Sequence, residues 1–435
     1  MLISRQTLSE LDQALRAVSG GMRIVSVEVD LDPLDLVRAG SEAFGWAGFF
    51  GSPGGKSVGG LGTATTFAVG GPTRFEAIDS GIRELPGGVN LFMGFGFDED
   101  GPAGLDWEGF PSAVAVLPEV SVARVGGRSS LTVAVRPGSD GRLLLSLLSA
   151  LRAPGIVVEE HEVDHTVESR PMPDDWRDLV AEAVASIGLG AFEKVVLART
   201  VLVRTPHPLR SFDLVSQLRA RYPGCRIFGW QQGDSTFMGA SPEVLITKDG
   251  ERFQLSPLAG SGPRGSDADD DRRLGDALLS SVKDRLEHSI VVEDAVRRLE
   301  PVGKGITHPS YPVLHRFATV QHLATPITGT SDRRVLELAA VLHPTAAVGG
   351  SPQTEALAFI AKQEGIDRGW YSGGIGWIEP DGDGELAVAL RCALVRGDRA
   401  IIYAGHGIVE GSLPDEELVE TRLKLRPMLD LLTDR

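Results

Sequence analysis

With 435 residues, 42% of them hydrophobic and 23% charged, the chain can bury a large core and has the balance of a soluble globular protein. A net charge of −16 argues against a nucleic-acid or anionic-membrane partner, and it obliges any small anionic substrate to find a local cationic pocket. The two cysteines, Cys225 and Cys392, supply neither a disulfide framework nor a zinc motif, so both are expected reduced and buried in a cytoplasmic protein.

The first twenty residues form an amphipathic start without the apolar centre of a secretory signal. The most apolar stretch, 143–158, is broken by Arg152 and Pro154 and is too short to span a bilayer. Residues 1–165 otherwise alternate short strands (24–29, 46–50, 60–64, 94–97, 113–117) with Gly/Pro/Ser turns, and they carry no catalytic signature. This third is expected to be scaffold. The polar segment 161–173 suits a connector. From Asp174 the spacing of Trp176, Leu179, Val180, Ala183, Val184 and Ile187 predicts a helix. A strand at 193–199 and a helix at 212–222 follow, then strands at 226–230, 236–239 and 243–247. One long helix with an acidic start is expected from Asp267 to about Leu299. Helices at 336–342 and 354–366, and strands at 373–378, 386–394 and 399–403, complete the pattern. No repeat or flexible linker divides the chain, so one compact α/β body is expected.

The closing stretch, 403–424, is the densest in chemistry. Its strand ends in Gly405-His406-Gly407, where bare backbone can approach a ligand. Ser412 and Pro414 read as the cap and first turn of a helix whose apolar stripe is Leu418, Leu425, Leu429 and Leu432. Glu417, Glu420 and Lys424 share its flank. A helix macrodipole explains acids in the first turn but not Glu420. A solvated acidic face and a cation or ligand site both stay open. Lys194 is a charge inside a Val-Val-Leu strand, unless that strand is half exposed. Glu243, in Ser-Pro-Glu, also suits a plain turn; Glu287 could pair with a basic helix neighbour, and His322 could be a satisfied core histidine. The acidic run 381–385 lacks a full EF-hand loop and reads as a hairpin turn.

The order of the motifs is more specific than any one of them. EKVVLAR (193–199), SPE (241–243), PLAGS (257–261) and KDRLEH (283–288) come first. HPTAAVGGSP (343–352), GGIGW (373–377), LRCA (390–393), YAGHGIV (403–409) and ETRLK (420–424) follow. This series resembles the chorismate-utilising enzyme family, strongly over 174–428 and in texture alone before that. The resemblance implies a large two-sheet α/β sandwich with outer helices, built as a single domain from 1–435, with the catalytic part at 174–435. It implies that Glu287 and Glu420 bind Mg2+, with Glu417 acting through water, and that the ion holds the ring carboxylate of chorismate. Arg391, Lys424 and the backbone at Gly405 would hold the pyruvyl-enol side chain, with Gly260, Ser261, His322, Ala347 and Tyr403 completing the substrate pocket.

Family members that use ammonia carry Gln at the position of Lys194, and the aminodeoxychorismate branch carries a nucleophilic Lys at that of Ala259. Lys and Ala here imply water as nucleophile, with Lys194 as the base for attack at C2 and Glu243 as the acid for the departing C4 hydroxyl. That role requires Glu243 to titrate upward, towards roughly 6–7. The implied reaction is reversible conversion of chorismate to isochorismate by a monomer without a glutaminase partner. A salicylate-forming enzyme that goes on to eliminate pyruvate is the nearest alternative, and a non-catalytic chorismate-binding chain is the alternative of another class. Menaquinone, siderophore and salicylate pathways all draw on this product and need no difference in the site.

Overall fold

A computed structural model describes residues 1–18, 21–155 and 165–433. Its frame is two large antiparallel sheets. The first has twelve strands and joins the two ends of the chain. Trp46–Gly51 from the N-terminal part pairs along its length with Arg226–Gln232 from the C-terminal part. Beyond that seam lie Ser235–Ser241, Cys392–Arg396, Arg399–Val409 and Lys194–Arg204 in order. The second sheet has nine strands and likewise mixes the halves, with Leu91–Phe95 paired to Gly374–Ile378. A small third sheet consists of Leu258–Pro263, Val320–Ala324 and Val313–Arg316.

The Gly-aromatic texture has a packing cause. Trp46, Phe50, Trp230 and Phe237 of the first sheet meet Phe92 of the second, with Trp107 and Trp370, in one buried cluster between the sheets. A Cβ on Gly94 would stand 2.1 Å from the Trp370 ring, so that strand must expose bare backbone there. On the outer faces, Arg5–Ala17, Pro33–Gly40 and Ser211–Arg221 cover the first sheet, while Arg74–Ile82 and Val335–Leu342 cover the second. This is the two-sheet sandwich with outer helices that the resemblance implies.

Local expectations fail at informative places. The long acidic-start helix is two helices, Ala268–Ser280 and Val282–Leu299. Ser281 between them is extended, and its hydroxyl accepts from the Asp284 N–H to cap the second. The expected strand 386–394 is also two, Gly384–Val388 in the second sheet and Cys392–Arg396 in the first. Arg391, at the crossing, has φ 49. The strand expected to stop at Tyr403 continues to Val409. Ser412 caps that strand rather than the helix, because its Oγ accepts from the Val409 N–H. Pro414–Thr433 is helical from Pro414.

The apolar stretch begins in the helix Gly141–Ala150, and its end lies outside the described residues, as does 161–164 of the connector. The rest of that connector includes a strand, Thr166–Arg170, paired to Lys194–Arg204. Among the described residues no helix is long and apolar enough to cross a membrane. Cys225 and Cys392 are free and buried.

Candidate active site

Four pieces of chain converge at one edge of the sandwich. Two of them are crossings between sheets. Ser241-Pro242-Glu243 leads from Ser235–Ser241 in the first sheet to Val244–Asp249 in the second, and Leu390-Arg391 leads back. The crossings are tied together: Ser241 Oγ donates to Val388 O at 2.5 Å and accepts from the Glu243 N–H at 3.2 Å. Chain that leaves one sheet for the other points its side chains into the space between them. Glu243 and Arg391 are delivered in that way.

The third piece is the pair Lys194–Arg204 and Arg399–Val409, in register Lys194↔Val409, Val196↔Gly407, Ala198↔Gly405. With the strand period of two, Lys194 and Val196 share a face with the two glycines. A Cβ on Gly407 would fall 2.1 Å from Glu287 Oε1 and 2.7 Å from Lys194 Cε. Glycine therefore makes room for the ion pair between Lys194 Nζ and Glu287 Oε1, 3.0 Å apart. The fourth piece is helical: Val282–Leu299 carries Glu287, and Pro414–Thr433 carries Glu417, Glu420 and Lys424.

Glu243, Glu287, Gly260, Ser261, His322 and Ala347 line one cavity, together with Arg391, Gly405 and Lys424. Glu243 is 3% exposed. Burial pushes its carboxyl up to about 8, with Lys194, Arg391 and Lys424 pulling the other way. Burial thus favours its protonated form. Lys194 is fully buried, and its Nζ has no aligned hydrogen bond beside the Glu287 ion pair. Burial disfavours the Glu287 carboxylate, but Lys194, His406 and Lys424 outweigh it and hold its pKa below the ordinary value. The Gly260 N–H donates to Glu287 Oε2 at 3.3 Å.

Arg391 Nη2 lies 3.3 Å from His322 Nε2, and His322 Nδ1 lies 2.8 Å from Ser261 Oγ. Arginine only donates, so His322 accepts at Nε2, carries its proton on Nδ1 and gives it to Ser261. Burial, with Arg391 and Lys424, drives the His322 pKa well down, consistent with that neutral ring. His322 is thus a buried, satisfied histidine that also faces the cavity.

One expectation is corrected by this geometry. Tyr403 does not line the cavity: its ring stacks on Tyr371 at 5.3 Å, and its hydroxyl accepts from Trp107 Nε1 at 3.1 Å. Tyr371 is the ring at the wall. The expected cation trio is split. Glu287 sits on Lys194, whereas Glu417 and Glu420 gather around His406, with Nε2 to Glu417 Oε2 at 2.5 Å and Nδ1 to Glu420 Oε1 at 2.9 Å. Donor atoms of His406, Glu417 and Glu420 all lie within 4.8 Å of one another. Lys283 Nζ holds Glu417 Oε1 at 2.6 Å, and Lys424 Nζ is 2.9 Å from both Glu420 Oε1 and His406 Nδ1.

Burial opposes the charge on all three acids and bases of this cluster, but mutual attraction wins. Glu420 is held well below its ordinary range, Glu417 falls to about 2, and His406 rises to about 9. Sequence reasoning missed His406 and Tyr371. A polar residue between two glycines on an apolar strand was the available sign for His406; nothing local marks Tyr371.

A buried carboxyl, Glu243, and two cations, Arg391 and Lys424, line one cavity, with the buried Lys194–Glu287 pair at its wall through Glu287. The chain belongs to the chorismate binding enzyme family, whose profile it matches over residues 10–433. It is 38% identical over 365 residues to the salicylate biosynthesis isochorismate synthase of Pseudomonas aeruginosa, covering 81% of this chain and 76% of that one. It is 37% identical over 352 residues to the isochorismate synthase MenF of Bacillus subtilis, covering 79% and 75%. The solved structure of MenF, the menaquinone-specific isochorismate synthase of Escherichia coli, superimposes with a TM-score of 0.86 at 25% identity, over 98% of this chain and 99% of that one.

Proposed function

We propose that this chain is an isochorismate synthase that converts chorismate reversibly to isochorismate. The observation that carries the reading is a buried Glu243 in one cavity with Arg391, Lys424 and Glu287, the last ion-paired to the buried Lys194 behind it. Water is added at C2 and its proton passes to Lys194 in its neutral amine form, which the lysine reaches only after the ammonium paired with Glu287 has released a proton to solvent. The C4 hydroxyl leaves as water, taking a proton from Glu243, so atoms balance and the two groups are reset by return of the protons through solvent. Arg391 and Lys424 hold the carboxylates of the substrate and offset the −16 of the whole chain.

The residues fit a divalent cation. Glu417 Oε2 and Glu420 Oε1 are buried oxygens without an aligned hydrogen-bond donor, in a cluster of three possible ligands. Glu417 and Glu420 would hold Mg2+, with Glu287 at the wall of the adjoining cavity that His406 also lines. Such an ion, when bound, supplies positive charge to a substrate carboxylate.

Relatives named isochorismate synthase favour a reaction that stops at isochorismate over one that continues to salicylate. Incubating the purified chain with chorismate and Mg2+ and following the mixture by proton NMR tests this. Isochorismate approaching a fixed ratio with chorismate is expected; salicylate with equimolar pyruvate, or no turnover, would sink it.

A further inference from the structure

We propose that Glu364 and Arg368 are the positioning pair of this site, a side-chain splint that fixes the cavity wall against the strand bearing Lys194. This rests on the reading of Lys194 as the base given above. Neither residue lines the cavity, and neither takes part in the chemistry. Glu364 closes the helix Gln353–Gln363 and is 5% exposed; Arg368, four residues on, is 3% exposed. Arg368 Nε donates to Glu364 Oε1 at 2.6 Å, and its Nη2 donates to Glu364 Oε2 at 2.5 Å. The Phe97 ring lies 4.3 Å from the guanidinium carbon and supports the fork from its face.

The pair stands where a strand partner is missing. Lys194–Arg204 is bordered on one edge by Arg399–Val409 along its whole length. On the other edge Gly350–Ser351 covers Lys194 and Val195, and Thr166–Arg170 covers Thr200 to Arg204. Residues 196–198 lie in the gap between those two strands. There the Ala198 N–H donates to Glu364 Oε2 at 2.7 Å, and Arg368 Nη2 donates to Val196 O at 2.7 Å. A strand continued through the gap would satisfy the same two groups. It would not make the two further ties of Arg368: Nη1 donates to Val348 O at 2.8 Å, and the Arg368 carbonyl accepts from the Tyr371 N–H at 2.9 Å. Val196, Val348 and Tyr371 are all walls of the cavity.

Four of the five guanidinium N–H groups are therefore committed, to two carboxylate oxygens and two carbonyls. A lysine ammonium is a single point of charge and cannot span them. Val196 is two residues from Lys194 on the same strand face, so a shift at Val196 O carries the lysine with it. Arg391 and Lys424, which hold the substrate carboxylates, are carried on other elements, the crossing between the sheets and the last helix. Loosening the splint thus misplaces the base against a substrate that is still held. The loss falls on turnover rather than on binding.

The test is Arg368→Lys, which keeps the charge beside Glu364 and removes the fork, with Glu364→Asp as the matching change on the acid. Steady-state kinetics of the full chain on chorismate, run well below the melting temperature of each variant, should show kcat about 10- to 100-fold lower in both. KM should stay within about threefold of the wild type. A raised KM with kcat unchanged, or a lower melting temperature with kcat unchanged, overturns the proposal. Hydrogen exchange read residue by residue supplies a second measurement, on the wild type itself. The Ala198 amide should exchange as slowly as that of Leu202, which faces Glu168 in the neighbouring strand, and about tenfold or more faster in Glu364→Asp. A wild-type Ala198 amide that exchanges as an open strand edge does overturns the proposal even if neither variant folds. A chain that makes isochorismate at the same kcat with Arg368→Lys refutes the splint and leaves the function standing. A wild type that makes no isochorismate refutes the assigned reaction, and the Ala198 exchange rate still judges the splint.

Discussion

Single residues at this site face two opposed demands, burial and charge. Glu243 has a carboxyl raised from 4.5 to about 8 by burial. The folded state therefore holds a proton that the unfolded chain gives up, and stability drains away as pH rises from the lower value through the higher one. Glu243→Gln keeps the neutral shape and removes that drain. Its stability should match the wild type near pH 5 and exceed it near pH 9 by on the order of a few kcal/mol, read as a higher melting temperature, while turnover falls by about 100- to 10,000-fold. Equal melting curves at both pH values would show that the carboxyl is not held protonated. In the wild type, the chorismate-to-isochorismate rate should decline above about pH 8, where the acid form is lost. Lys194 behaves differently, because removing it strands the buried Glu287, a loss of about 3–5 kcal/mol. Lys194→Met with Glu287→Gln should recover most of the stability lost in Lys194→Met alone and none of the activity, as read by thermal melting beside the product assay.

At the level of elements, the site is made by interruptions, and this is where the sequence was hardest to read. Lys194 and Glu243 were visible because a charge in an apolar strand and an acid after Ser-Pro are anomalies within a few residues. Glu420 stood out locally as an acid beyond the reach of the helix macrodipole, but its role, like that of Glu287, came only through the order of motifs. The break at Ser281 was hidden by continuous helical composition on both sides; a serine that caps the next helix leaves no trace in periodicity. The break at Arg391 was hidden likewise, since 386–394 reads as one apolar strand and only the sheet assignment separates its halves. Arg391 has φ 49, a conformation that L side chains adopt at a cost and glycine adopts freely. Arg391→Gly should therefore leave the melting temperature within a degree or two of wild type and raise KM for chorismate about tenfold or more, the worth of a charged hydrogen bond. Arg391→Val, β-branched in the same conformation, should melt lower. A KM unchanged in the glycine variant would remove Arg391 from the substrate.

For the whole molecule, no described residue of the N-terminal third lines the cavity, yet the site depends on that third through the sheets. Trp46–Gly51 forms the edge against which Arg226–Gln232 pairs, and that strand leads directly to the one ending at Ser241. Leu91–Phe95 supports Gly374–Ile378, which pairs with the strand that precedes the Arg391 crossing. Sequence texture conveyed strands in this third but not their partners, because antiparallel pairing between segments almost two hundred residues apart leaves no local signal. The aromatic cluster between the sheets draws Trp46 and Trp107 from one part and Trp230 and Trp370 from the other, so these buried rings would be only partly packed in either part alone. The chain should accordingly unfold in urea as one cooperative unit, with the midpoint from tryptophan fluorescence coinciding with that from far-ultraviolet circular dichroism. A fragment of residues 174–435 should lack the near-ultraviolet signature of packed aromatics and bind no chorismate. Two separated transitions in the full chain, or a native-like spectrum from the fragment, would mean that the seam between Trp46–Gly51 and Arg226–Gln232 joins two bodies that fold independently.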